Sequence, residues 1–81
     1  MDLTKLSIAA LFRIVKSDWK KPYFGAVPYI DALITCQSMD SVYGVETARD
    51  LVPYFLANAN TWRGETAKAV KLELKSRLAN R

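Results

Sequence analysis

Apolar side chains recur along this chain at intervals of three and four, the spacing that stacks them on one face of an α-helix. Ile8, Leu11, Phe12, Val15 and Trp19 form the first such stripe, widened by Leu3, Leu6, Ala10 and Ile14, with Lys5, Arg13 and Lys16 opposite. The pattern predicts a helix over residues 3–18, capped by Asp2 or Thr4. Lys20-Lys21-Pro22 ends it, because a proline disfavours helical geometry in the residue before it, and Gly25 marks a turn.

A second helix is expected over residues 28–43. Pro28 suits a first turn, where its missing N–H costs nothing, and Asp31 suits the positive end of the helix dipole. Tyr29, Ile30, Leu33, Ile34 and Cys36 supply apolar positions, and Gly44 supplies the stop, although Asp40 and Ser41 weaken the last turn. The third helix is placed at residues 47–59, with Thr47 capping a turn that contains Asp50. Its stripe is Val45, Ala48, Val52, Phe55 and Ala59, broadened by Leu51 and Leu56. Pro53 conflicts with a start at Thr47, since it cannot donate to the Arg49 carbonyl and its ring crowds that carbonyl. Either the helix kinks there or Asp50 caps a fresh start.

The fourth helix is placed at residues 61–79, capped by Asn60 or Thr61. Ala67, Val70, Leu74 and Leu78 line one side, and Glu73 with Arg77 forms an i,i+4 pair. Four such stripes with no strand-period segment predict an all-α fold, a small four-helix domain with short connections.

With 81 residues there is one domain's worth of core. A hydrophobic fraction of 51% with 25% charged residues is the composition of a folded chain, not a disordered one. No apolar window approaches the length of a membrane span, the short run from Leu6 to Phe12 lacks the features of a secretory leader, and a cytoplasmic location is expected.

Candidate chemistry is narrowed mainly by what is scarce. One cysteine and no histidine leave carboxylates alone as zinc ligands, and no stretch has the oxygen density of a calcium loop, so no metal is expected. Cys36 reads as a small buried hydrophobe. Glu46 and Asp50 stand four apart on one predicted face, but surface helices carry such pairs routinely. The glycines at 25, 44 and 64 stand singly, so no phosphate loop is built from them. The expectation is a non-enzymatic chain with no cofactor.

The net charge of +4 is uneven: residues 1–21 sum to +3, residues 22–62 to −3 and residues 63–81, including Arg81, to +4. Basic ends around an acidic middle suit either a solvated surface or an anionic partner.

Two surface readings follow. In the first, the chain is a binding or accessory module for a protein partner or for itself, using Trp19, Tyr23, Tyr54, Trp62 and Arg63 near helix ends. NANTWRGE, residues 58–65, is central to it: capping accounts for the asparagines, whereas Trp62 serves as either a core staple or an exposed anchor. The alternative is weakly specific nucleic-acid binding by the basic face of the last helix, using Arg63, Lys68, Lys71 and Lys75 on phosphates. The connection from Trp19 to Tyr29, with Tyr23 and Phe24 beside Lys20 and Lys21, either plugs the bundle or stacks against a partner. A helix-turn-helix is poorly matched, because the break before the last helix is too long.

Overall fold

The computed structural model describes residues 2–80; Arg81 of the basic C-terminal stretch lies outside the described residues. Among these residues there are four helices and one short hairpin: α1 Ile8–Asp18, α2 Val27–Leu33, β1 Val42–Tyr43, β2 Glu46–Thr47, α3 Ala48–Ala57 and α4 Glu65–Ala79. The domain is mostly helical and compact, with short connections, and α1 and α3 each pack against both α2 and α4.

The first helix starts five residues later than its apolar pattern suggests. Ser7, rather than Asp2 or Thr4, is the cap, its Oγ accepting from the Ala10 amide at 3.0 Å. Asp2 is drawn into a local turn instead, its carboxylate accepting from both the amide and the hydroxyl of Thr4. Leu3 is buried all the same. An apolar residue just before a helix can fill the core without being helical.

The second helix departs most from expectation. Pro28 does lie in its first turn, but α2 ends at Leu33, ten residues short of Tyr43. Two polar side chains compete for the backbone here. The Thr35 hydroxyl donates to the Ala32 carbonyl at 2.7 Å, while Ser41 Oγ accepts from the amides of Gln37 and Ser38, both at 3.0 Å. Such local bonds offer the chain an alternative to helix.

Residues 42–47 then form an antiparallel hairpin, pairing Val42 with Thr47 and Tyr43 with Glu46 around a two-residue turn at Gly44 and Val45. Gly44 has φ +67°, and a left-handed glycine in the first turn position matches the type II′ geometry that follows strand twist. The same residue type ends helices, which is why Gly44 reads equally well as a helix stop. Val45 sits at the tip, fully exposed, and takes no part in the α3 stripe.

That hairpin delivers the chain to α3 with its first amides already satisfied. Ala48 N–H donates to the Ser41 carbonyl at 2.9 Å and Arg49 N–H to the Met39 carbonyl at 2.8 Å. Asp50 N–H donates to Thr47 Oγ1, and the Asp50 carboxylate accepts from the Thr47 amide, completing a capping box. With its start pinned at Thr47, α3 runs on through Pro53 as one helix instead of restarting at Asp50. The Pro53 ring is exposed. α4 begins at Glu65, four residues later than its pattern suggests, and its cap is Gly64 at φ +116° rather than Asn60 or Thr61.

The core is a cluster of rings joined to aliphatic side chains. Phe12 meets Phe55 edge-on at 4.8 Å, and Trp19 and Trp62 stack at 5.9 Å with Phe55 against the edge of both. Cys36 is buried among them, its thiol 3.6 Å from the Ala32 carbonyl. Glu73 and Arg77 form the expected pair at 2.7 Å, and Arg77 also donates to the Leu3 carbonyl at 2.9 Å, tying the N-terminal turn to α4.

Replacing Pro53 by alanine restores a helical donor at an exposed position. Thermal unfolding followed by circular dichroism is expected to show stabilisation of about 1–3 kcal/mol; an unchanged or lower midpoint would mean that the helix relies on the ring.

Candidate functional site

The 58–65 stretch is held from inside. Trp62 is 2% exposed, and its indole Nε1 donates to Asp18 Oδ2 at the end of α1 at 2.9 Å. Its backbone and that of Ala59 present carbonyls that no helix takes up, and Lys71, from the second turn of α4, donates to both at 2.6 and 2.7 Å. The same ammonium lies 5.9 Å from the Trp62 ring centroid, within reach of a cation–π attraction. Burial lowers the Lys71 pKa below the ordinary lysine value, with like charge on Lys75 and Arg63 adding to the effect. This junction is therefore a structural knot.

The residues singled out from the sequence divide accordingly. Trp19 and Trp62 are inside, stacked on one another; Tyr23, Tyr54 and Arg63 are outside. Of the cations on the last helix, Lys71 is turned onto the 59–62 carbonyls, while Lys68 and Lys75 remain exposed. Lys75 and Arg63 are each near enough to Lys71 to act on its charge, so the structure places both basic groups around Lys71 beside the knot.

An aromatic edge along α2 and α3 was only partly visible in the sequence. Tyr29 on α2 stacks on Tyr54 on α3 at 5.8 Å, and Tyr23 lies 4.7 Å from Phe24 in the preceding connection. Phe24 is 78% exposed, more than any other aromatic ring among the described residues, and Val27 adjoins it in the chain. Asn58 links the two ring pairs, since its Nδ2 donates to the Tyr54 carbonyl at 2.8 Å while its Oδ1 lies on the Tyr23 side, beside Gly25. The signal that marks Phe24 and Val27 is position: they lie between Pro22 and Pro28, Phe24 in the connection between helices and Val27 as the first residue of α2.

Between Tyr23 and the turn after α3 lies an open cleft of about 300 Å³, lined by Tyr23, Ala57, Asn58, Asn60 and Thr61. Gly25 makes room for its walls. A Cβ on that residue would come within 2.6 Å of the Tyr23 ring and 2.8 Å of Asn58 Oδ1. A second exposed apolar set, Val42, Tyr43 and Val45, sits on the hairpin.

Among the described residues, no cluster of three or more His, Cys, Asp or Glu side chains is arranged to hold a metal, and no helix is long and apolar enough to cross a membrane. Glu46 lies in β2 and Asp50 in the α3 capping box, so these two carboxylates do not share a helical face.

Lys71→Met removes both carbonyl bonds, and urea unfolding at neutral pH is expected to show a loss of about 1–3 kcal/mol. The pH dependence has a definite sign. Because the folded pKa of Lys71 is lowered, the unfolded chain holds that proton more tightly, and the wild type gains stability as pH rises through a window ending near the ordinary value of 10.5. The stability gap between wild type and Lys71→Met should widen across that window; a constant gap would contradict the assignment.

No family model, no curated protein and no solved structure matches this chain.

Proposed function

We propose that this chain is a non-enzymatic binding or accessory module that associates with a protein partner or with a second copy of itself. The observation that carries this reading is the aromatic edge. Tyr23, Phe24 and Tyr54 are about half or more exposed, although the core already holds Phe12, Trp19, Phe55 and Trp62. Large rings that stay wet in a small domain are the residue type that anchors interfaces, since each buries much area at a small cost in side-chain freedom. The rings are also held in place, Tyr54 by stacking on Tyr29 and Tyr23 by contact with Phe24. An edge of this kind loses little entropy on docking.

A second reading, weakly specific nucleic-acid binding, draws on a different observation. Exposed Lys20 and Lys21 precede the exposed Tyr23–Phe24 pair across Pro22, and exposed Arg63 follows the cleft residue Thr61 across Trp62. With Lys71 engaged internally, the last helix offers Lys68 and Lys75, so this reading moves its centre from the lysine row towards the cleft.

The primary reading is tested with the double variant Phe24→Ser/Tyr54→Lys. Wild-type protein is expected to show salt-insensitive, concentration-dependent sedimentation, or to retain from cell extract a protein that the variant does not. The variant should weaken either association at least about 10-fold with helicity unchanged. A wild type that stays monomeric and holds nothing that the variant lacks would overturn the reading.

A further inference from the structure

We propose that the cleft beside Tyr23 is a binding site for an unpaired base of a single-stranded nucleic acid, with Lys20, Lys21 and Arg63 taking the adjoining phosphates. The inference rests on the second reading above, and it shares Tyr23 with the docking edge.

The chemistry of the lining selects the ligand. Tyr23 offers an aromatic wall, Ala57 an apolar surface, and Asn58, Asn60 and Thr61 a polar rim. The Asn58 amide is oriented, because its Nδ2 donates one hydrogen bond to the Tyr54 carbonyl while its Oδ1 lies beside Gly25. The side chains of Asn60 and Thr61 are exposed and make no hydrogen bond among the described residues. A nucleobase presents what such a cleft lacks: a flat face for the ring and in-plane donors and acceptors for the rim. An aliphatic side chain from a protein would cover the ring but leave the amides and hydroxyl without partners.

Charge points the same way. Lys20 and Lys21 lie three and two residues before Tyr23 in the chain and Arg63 two after Thr61, so each chain segment that lines the cleft carries exposed cations close by in sequence, although Lys20 also lines a separate cavity with Arg13, Ser17 and Thr66. Aromatic platforms flanked by cations bind single strands with little sequence preference, the phosphates adding salt-dependent affinity and the stacked base adding more. Gly25 does not line the site but supports it, because a side chain there would push against both Tyr23 and Asn58.

The test compares, at low salt and by fluorescence anisotropy, labelled oligothymidylate, an oligomer of the same length made of abasic sites, and a blunt duplex. The wild type is expected to bind oligothymidylate about 10-fold or more tighter than the abasic strand, in line with the roughly 1–3 kcal/mol of one base–aromatic stack. Tyr23→Ala should bring oligothymidylate binding down to the abasic level and leave abasic binding unchanged. Asn60→Ala, at an exposed position, should reduce the same preference in part and serves as a second variant. Replacing Lys20, Lys21 and Arg63 by glutamine should weaken all three ligands and flatten the salt dependence. Equal affinity for the thymidylate and abasic strands, or a preference that survives Tyr23→Ala, overturns the base site while leaving phosphate binding in place. Absence of binding to all three overturns the site together with the nucleic-acid reading.

Discussion

The stacking of Trp62 on Trp19 is the contact from which the arrangement of this domain follows. It joins the end of α1 to the connection before α4, residues 44 apart in the chain, and Asp18 completes the join by accepting from the Trp62 indole. Phe55 meets both indoles edge-on, which brings α3 into the same cluster, and Phe12 continues it along α1. A small domain has little area to bury, so rings that touch several elements at once carry a large share of its stability.

Putting Trp62 inside creates a polar problem that Lys71 resolves. The turn that swings the indole inward leaves the Trp62 carbonyl outside any helix and the Ala59 carbonyl with the Trp62 amide as its backbone donor, and an unpaired carbonyl beside a core is costly. Lys71 meets both, accepting the partial loss of hydration that lowers its pKa. A residue suited by position to face phosphates is thereby committed to the fold. The other basic groups around it, Arg63 and Lys75, remain at the surface.

The same economy explains where exposed rings are found. Once Trp19 and Trp62 fill the centre, the connection from Lys20 to Ala26 passes the end of α3, where Gly25 leaves room for Tyr23 and Asn58. Phe24, next along the chain, then has no core to enter and stays exposed. The aromatic edge and its neighbouring cleft are thus consequences of how the interior is filled.

Helical periodicity in the sequence determined the fold class, the four helices, the Thr47–Asp50 cap and the Glu73–Arg77 pair, because each of these depends on residues within four positions of one another. Tertiary structure alone decided the rest. The hairpin at 42–47 replaces the end of a predicted helix because Ser38–Met39–Asp40–Ser41 bonds to itself and to the start of α3, and Gly44 suits a helix stop and a hairpin turn equally well. Which tryptophans would be anchors, and which lysine would be free, turned on contacts between residues far apart in the chain, from Asp18 to Trp62 and from Lys71 to Ala59. Spacing along a helix reports which side chains share a face, but the identity of whatever covers that face is settled only when the other elements pack against it.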